Sequence, residues 1–261
     1  MIRVGIGGWV YAPWRGTFYP KGLPQARELE FASRRLTTIE INGTFYGTQK
    51  PASFARWAAE TPDDFVFSLK GPRYATHRGT LAEAGESVER FFGSGVLELK
   101  AKLGPVLWQF PPTKSFDLDD FGAFLALLPQ RLDGVVLRHA VEVRHPSFCT
   151  SEFIALMRRF SAAIALVDSA QHPLFADVTG GFLYLRLQRT AEAVETGYSA
   201  DALGTWASRA RGWASGRMPA DLPAIAPQAP SQSERDVFIY MISGAKARAP
   251  AAAMALIERL N

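Results

Sequence analysis

Eight short apolar runs punctuate the chain, and most of them close on a polar or charged residue. They are Ile2–Ile6, Thr38–Asn42, Phe65–Lys70, Val106–Gln109, Ala140–Arg144, Ile164–Asp168, Phe182–Leu187 and Val237–Ser243. Runs of this length, rich in β-branched and aromatic residues, read as strands. The stretches between them carry helical stripes. Leu23–Leu36 places Leu29, Phe31, Ala32 and Leu36 close to one face, and Pro51–Glu60 does the same with Phe54, Trp57 and Ala58. Asp117–Leu128 repeats Phe121, Phe124, Leu125 and Leu128, and Thr150–Phe160, Asp201–Ala214 and Pro250–Leu260 complete the set. Strands alternating with helices imply a parallel sheet, and eight such units imply a closed (β/α)8 TIM barrel.

Two connections depart from that alternation. Between Asp168 and Phe182 the segment SAQHPLFADVTGG is too short and too punctuated for a full helix, so the sixth helix is expected to be missing or reduced to a turn. Before the eighth strand, residues 215–235 carry Pro219, Pro223, Pro227 and Pro230 among Ala, Ser and Gln. This reads as a mobile or extended insert on the face opposite the site rather than as a lid. The whole chain, 1–261, is then one irregular barrel domain.

Length and composition agree with that reading and narrow the function. A chain of 261 residues suits a fold that typically takes about 250. The net charge is +4, and the basic pairs Arg34–Arg35 and Arg158–Arg159 fall on helices as solvated faces. A nucleic-acid surface normally shows a denser stripe of cations with interleaved aromatics, and an anionic small molecule suits the charge equally well. The single cysteine, Cys149, excludes an intramolecular disulfide and a multi-cysteine metal site. No apolar stretch approaches the roughly 18 residues of a membrane span, and the chain enters a strand at its first residues, so a cytoplasmic location is expected. Oligomeric state is not legible.

Alternation along each strand selects the residues that face the barrel interior. With Ile39 and Ile41 under the helices, Glu40 and Asn42 point inward; with Val141 and Val143 outward, Glu142 and Arg144 point inward. The same count turns Lys70, Tyr184 and Arg186 inward, and Gln109 and Asp168 close their strands in similar places. Burying such charges costs several kcal/mol each unless they pair. A salt-bridge network filling a polar interior is therefore one reading, strongest for the deeper Glu40 and Glu142. The other is a receptor for phosphate or carboxylate built from Lys70, Arg144 and Arg186. His77, in the loop after the third strand, is the first candidate for proton transfer and His145 the second, with Glu142 or Asp168 as the carboxylate. Trp9, Trp14 and Tyr46 are expected to wall the pocket, with Asn42 and Gln109 contributing polar contacts. The four histidines show no HxH or HExxH spacing, so no metal and no cofactor is assigned, and neither a dinucleotide fingerprint nor a GxSxG elbow is present.

Spaced motifs in consistent order give the chain a resemblance to the YecE-like family, the domain of unknown function seventy-two. They are GIGGWVYAPWRGTFYP at 5–20, EINGTFYGTQKP at 40–51, FSLKGPRYATH at 67–77, LGPVLWQFPP at 103–112, VEVRHPSF at 141–148, LVDS at 166–169 and YLRL at 184–187. The resemblance implies a TIM barrel without an established activity, and draws attention to Tyr11, Tyr19, Phe45 and Thr76 beside the residues above. Two departures sit at strand ends. Gln188–Arg189 replaces the family's usual His–Gly pair, and Met241–Ile242–Ser243 stands where the family tends toward Phe-Asn-Asn, which implies an altered pocket or a lost activity. The function expected is an enzyme, a hydrolase, lyase or isomerase, acting on a small anionic or sugar-like substrate. The alternatives are a nucleic-acid-binding or nucleic-acid-processing protein and a non-catalytic sensor or scaffold.

Overall fold

Period-two alternation becomes eight parallel strands in the computed structural model, which describes residues 1–227 and 233–261. The strands are β1 (Ile2–Gly7), β2 (Thr38–Ile41), β3 (Val66–Lys70), β4 (Leu103–Gln109), β5 (His139–Glu142), β6 (Ala163–Asp168), β7 (Phe182–Leu187) and β8 (Asp236–Met241). Each pairs with its neighbour in chain order, and β1 pairs with β8, so the sheet closes into a barrel. The outward-facing set, including Ile39, Ile41, Phe67, Leu69, Val141 and Leu185, packs under the helices in one apolar cluster. A smaller cluster fills the barrel itself with Val66, Leu107, Ala140, Ala165, Val167, Phe182, Tyr184, Phe238 and Tyr240.

The helices are α1 (Glu28–Ser33), α2 (Pro51–Glu60), α3 (Gly85–Phe92), α4 (Leu118–Ala126), α5 (Ser151–Arg159), α6 (Ala200–Ala214) and α7 (Ala249–Leu260). Three begin at side-chain caps. Asp117 accepts from the Asp120 amide at 2.8 Å, Thr150 from Phe153 at 3.2 Å and Ser199 from Ala202 at 3.2 Å, each satisfying an amide that the helix cannot. Helix α3 is absent from the sequence reading, although Val88, Phe91 and Phe92 form its buried stripe. The first helix is shorter than expected, because Gln25–Arg27 forms a 3-10 turn ahead of it. Single helical turns at Gly43–Tyr46 and Arg73–Thr76 follow β2 and β3 directly.

No helix follows β6, as expected from its connection. The gap in the outer layer is filled from elsewhere. Phe175 and Ala176 of the β6–β7 connection and Ala226 of the segment before β8 are buried in the outer cluster, with Met218, Leu222 and Ile225 packed against it. The Asp177 carboxylate accepts from the Ile225 and Ala226 amides at 2.9 and 3.0 Å. Residues 215–227 of the Pro-rich insert form no helix or strand and are docked on the barrel by these contacts; 228–232 lie outside the described residues.

One irregularity interrupts the barrel pairing. Phe67 pairs with Leu103 but Leu69 pairs with Val106, so β4 holds one more residue than β3 over that interval. The extra residue falls at Gly104–Pro105, where proline has no amide to donate to a ladder.

Candidate active site at the barrel mouth

The interior is layered by chemistry. Apolar side chains fill the N-terminal ends of the strands. Above them the Tyr240 hydroxyl lies 3.0 Å from Thr38 Oγ1 and accepts from Ser68 Oγ at 2.8 Å, and the Tyr184 hydroxyl lies 2.9 Å from the same serine. Tyr184 donates upward to Glu40 Oε2 at 2.7 Å. Burial above all, with Glu40 and Tyr240 next, raises the Tyr184 phenol well above its ordinary range, so it stays a donor.

The next layer is ionic. Arg186 is fully buried and donates from Nε to Glu40 Oε2 at 3.1 Å and from Nη2 to Glu40 Oε1 at 3.0 Å. Its Nη1 donates to Glu142 Oε2 and, at 3.1 Å, to Gln109 Oε1. Arg144, half-buried, completes the layer, with Nε on Glu142 Oε1 at 2.7 Å and Nη2 on Gln109 Oε1 at 3.0 Å. Burial lowers the Arg186 pKa, but Glu142 and Glu40 outweigh it and the net shift is upward. For Glu142, burial pushes upward and the Arg186 and Arg144 charges pull it down overall. Both carboxylates are therefore spent on arginines. Losing Arg186 would strand two buried anions, a loss that costs about 3–5 kcal/mol in comparable networks. The salt-bridge reading holds for this layer.

Above it opens a cavity of about 450 Å³ lined by Gly7, Gly8, Val10, Trp14, Asn42, Tyr46, Lys70, Gln109, Arg144, Arg186 and the residues that end and follow β8. Lys70 is 6% exposed, and its ammonium lies 3.9 Å over the Phe45 ring. Among the described residues it makes no ion pair and no side-chain hydrogen bond. The helical turn after β2 creates this setting. Its Thr44 hydroxyl donates to the Lys70 carbonyl at 2.7 Å, while Phe45 supplies the ring beneath the amine. Burial chiefly, then the Arg186 charge, lowers the Lys70 pKa to about 8, with Glu40 and Glu142 opposing and Arg144 adding to the fall.

Across the cavity stands Lys246, which sequence reasoning missed because it lies beyond any strand. Ser243 and Gly244 adopt positive φ of 66° and 64°, and a Cβ on Gly244 would lie 2.7 Å from Thr190 Oγ1. That turn carries the chain back until the Lys246 carbonyl accepts from Trp14 Nε1 at 2.9 Å. The Lys246 amine sits 4.5 Å from the Tyr11 ring and 5.6 Å from Trp14. Burial lowers its pKa.

Other expected residues fall outside this cavity. Asp168 shares its strand face with Ile164 and Leu166 and so points away from the interior; Tyr198 donates to it at 3.0 Å and Arg189 pairs with it at 3.0 Å. The departure Gln188–Arg189 thus supplies the partner of Asp168. Trp9 is a packing residue, its ring 5.2 Å from Trp57 and 6.4 Å from Phe67. His145 turns its Nδ1 onto Ser147, 2.8 Å from the hydroxyl and 3.2 Å from the amide, and caps a short turn. His77 is exposed on a separate groove with Arg78, Pro111 and Lys114, its ring centroid 5.5 Å from that of Phe45. Burial, then Lys70, Arg73 and Arg144, lowers its pKa. Another histidine was not selected from the sequence. His172, on the helix-less β6–β7 connection, feels the charges of Arg144, Glu142 and Arg186, and its buried Nδ1 has no partner among the described residues.

Among the described residues no cluster of three or more His, Cys, Asp or Glu side chains is placed to hold a metal ion. No helix among them is long and apolar enough to cross a membrane.

Comparisons with known proteins agree with the architecture. UPF0759 protein YunF of Bacillus subtilis (strain 168) is 28% identical over 117 residues, 43% of this chain; the match spans 40% of that protein's length. The crystal structure of a DUF72 family protein from Thermotoga maritima MSB8 superposes with a TM-score of 0.76 at 20% identity, covering 100% of this chain and 99% of that one. A DUF72 family protein from Enterococcus faecalis V583 gives 0.72 at 18% identity, over 100% and 98%. At these identities the likeness is one of fold. The model of the family described as "Protein of unknown function DUF72" matches residues 3–261, and the chain belongs to that family.

Proposed function

We propose that the barrel mouth binds a small organic anion, a phosphorylated or carboxylated compound of sugar size, and acts on it enzymatically. The observation that carries this reading is a charge imbalance. The cavity is lined by Lys70, Arg144, Arg186 and Lys246, while the two carboxylates beneath it are already paired with the arginines. Among the described residues, neither Lys70 nor Lys246 at this cavity has an acidic partner, and Lys70 is desolvated as well. An anion entering there replaces lost hydration with charge-assisted contacts. Tyr46, exposed at the mouth, offers a ring for an apolar or sugar face, and Asn42 and Ser243 supply polar groups at the rim; Trp14 is fully buried. The ionic layer below is preorganised and holds Arg144 and Arg186 in place as charge develops on a substrate.

Isothermal titration with inorganic phosphate, sugar phosphates and the matching uncharged sugars tests this. Binding of the anions and not of the neutral sugars is expected, with Lys246→Ala weakening it about tenfold, or roughly 1.4 kcal/mol. Absence of binding by every anion overturns the reading. Binding confined to oligonucleotides, falling steeply with salt, would put a nucleic-acid partner in its place.

A further inference from the structure

We propose that Lys70 is a covalent catalytic residue, whose amine condenses with the carbonyl group of an aldehyde or ketone held in the cavity to form a Schiff base. The choice of a carbonyl compound that also carries an anionic group rests on the anion-binding reading above; the reactivity of the amine does not. Three features of the site support the amine. Lys70 ends β3 at the C-terminal rim of the barrel and lines the cavity. It is 6% exposed, and among the described residues it makes no ion pair with a carboxylate. Burial first, then the charge of Arg186 on β7, disfavours its ammonium; Glu40 on β2 and Glu142 on β5 oppose this and are themselves paired with arginines, and Arg144 after β5 adds to the fall. A lysine desolvated in apolar surroundings beside other cations is activated as a nucleophile.

With its pKa lowered to about 8, roughly a tenth of Lys70 is neutral at pH 7, about 300 times the fraction of an unperturbed lysine. The step balances simply. The ammonium gives up one proton, nitrogen bonds to the carbonyl carbon, and the carbonyl electron pair moves to oxygen. That oxygen takes up this proton and a second one released from the nitrogen and leaves as water, so the ammonium and carbonyl end as a protonated imine plus one water. No oxidant or metal enters. The imine withdraws electrons from the adjacent carbon, suiting the site to α-proton transfer or carbon–carbon bond cleavage. The second ammonium, Lys246, and the half-buried Arg144 are left to hold the anionic group.

Two labelling experiments on the full chain test this, both read by peptide mass spectrometry. Formaldehyde with cyanoborohydride at pH 7 needs no anion site. Lys70 is expected to methylate at least about tenfold faster than the exposed Lys21, Lys50 and Lys100. Dihydroxyacetone phosphate with the same reductant is expected to leave one adduct on Lys70, blocked by inorganic phosphate and absent from Lys70→Arg. Methylation of Lys70 no faster than of the exposed lysines overturns the proposal. Fast methylation without the phosphate-bearing adduct also overturns it as stated. In that case inorganic phosphate decides the fate of the earlier reading: slower methylation in its presence leaves the anion site standing alone, and an unchanged rate removes both.

Discussion

Lys70 trades stability for a poised amine. Its folded pKa lies below the ordinary lysine value, from burial first and the Arg186 charge second. Below pH 8 both folded and unfolded chains hold the proton, and the folded state carries the whole penalty. Between about pH 8 and pH 10.5 the folded chain has released that proton while the unfolded chain keeps it, so stability rises with pH across the window. Replacing Lys70 with methionine keeps the stem and removes the charge. The expected result is a protein up to about 3 kcal/mol more stable at pH 7, with the gain shrinking toward pH 10 and anion binding lost; urea titrations at the two pH values measure it. Glycines near the same rim differ in what they tolerate. A Cβ on Gly5 would lie 1.8 Å from the Thr38 carbonyl oxygen, which is backbone of the neighbouring strand. On Gly7 it would meet the Ile242 Cδ1 tip at 2.5 Å and Asn42 Nδ2 at 2.9 Å, both at the ends of side chains. Gly5→Ala is therefore expected to cost about 3 kcal/mol or more, whereas Gly7→Ala costs about 1 kcal/mol and shows itself in weakened anion binding. Equal losses from both, in thermal and binding measurements, would contradict this distinction.

Within single elements, the period of two was enough to find Glu40, Glu142 and Arg186, because a strand buried on both faces leaves each side chain only two destinations; Gln109 was found by its place at a strand end. The period also explains the error at Asp168. That residue stands two positions after Leu166, on the outer face, and its position at a strand end outweighed its parity in the reading. Past the last paired residue the period no longer applies. Trp9 turned into the packing around Trp57, His145 closed its own turn, and Lys246 reached the mouth by a loop path that no alternation encodes. The short helical turn after β2 belongs to the same class: GTFY has no helical stripe to read, yet it places Phe45 under Lys70. Helix α3 was legible in principle from Val88, Phe91 and Phe92, but its eight residues are bracketed by glycines that read as loop.

For the whole molecule, the two irregularities seen along the chain turn out to be one arrangement. A barrel short of a helix exposes the outer faces of β6 and β7, and the Pro-rich segment before β8 covers that side together with the β6–β7 connection. Asp177 joins them through the Ile225 and Ala226 amides. Asp177→Ala is expected to cost about 1–3 kcal/mol, the range for leaving buried amides unsatisfied. It should also speed hydrogen exchange in 215–227 far more than in the strands. Uniform acceleration across the molecule would mean that the segment does not open separately.

The additional residue at Gly104–Pro105 has a consequence for how relatives of this chain diverge. After it, Val106 and Trp108 face the helices while Leu107 and Gln109 face inward. Taking one residue out at that point would shorten the chain by less than half a percent, yet exchange the two faces for the rest of β4: an indole would be driven into the ionic layer and the amide shared by Arg144 and Arg186 would be turned out beneath the helices. The site is therefore more sensitive to a gap here than to most substitutions, and within this segment chain length itself is part of the chemical specification.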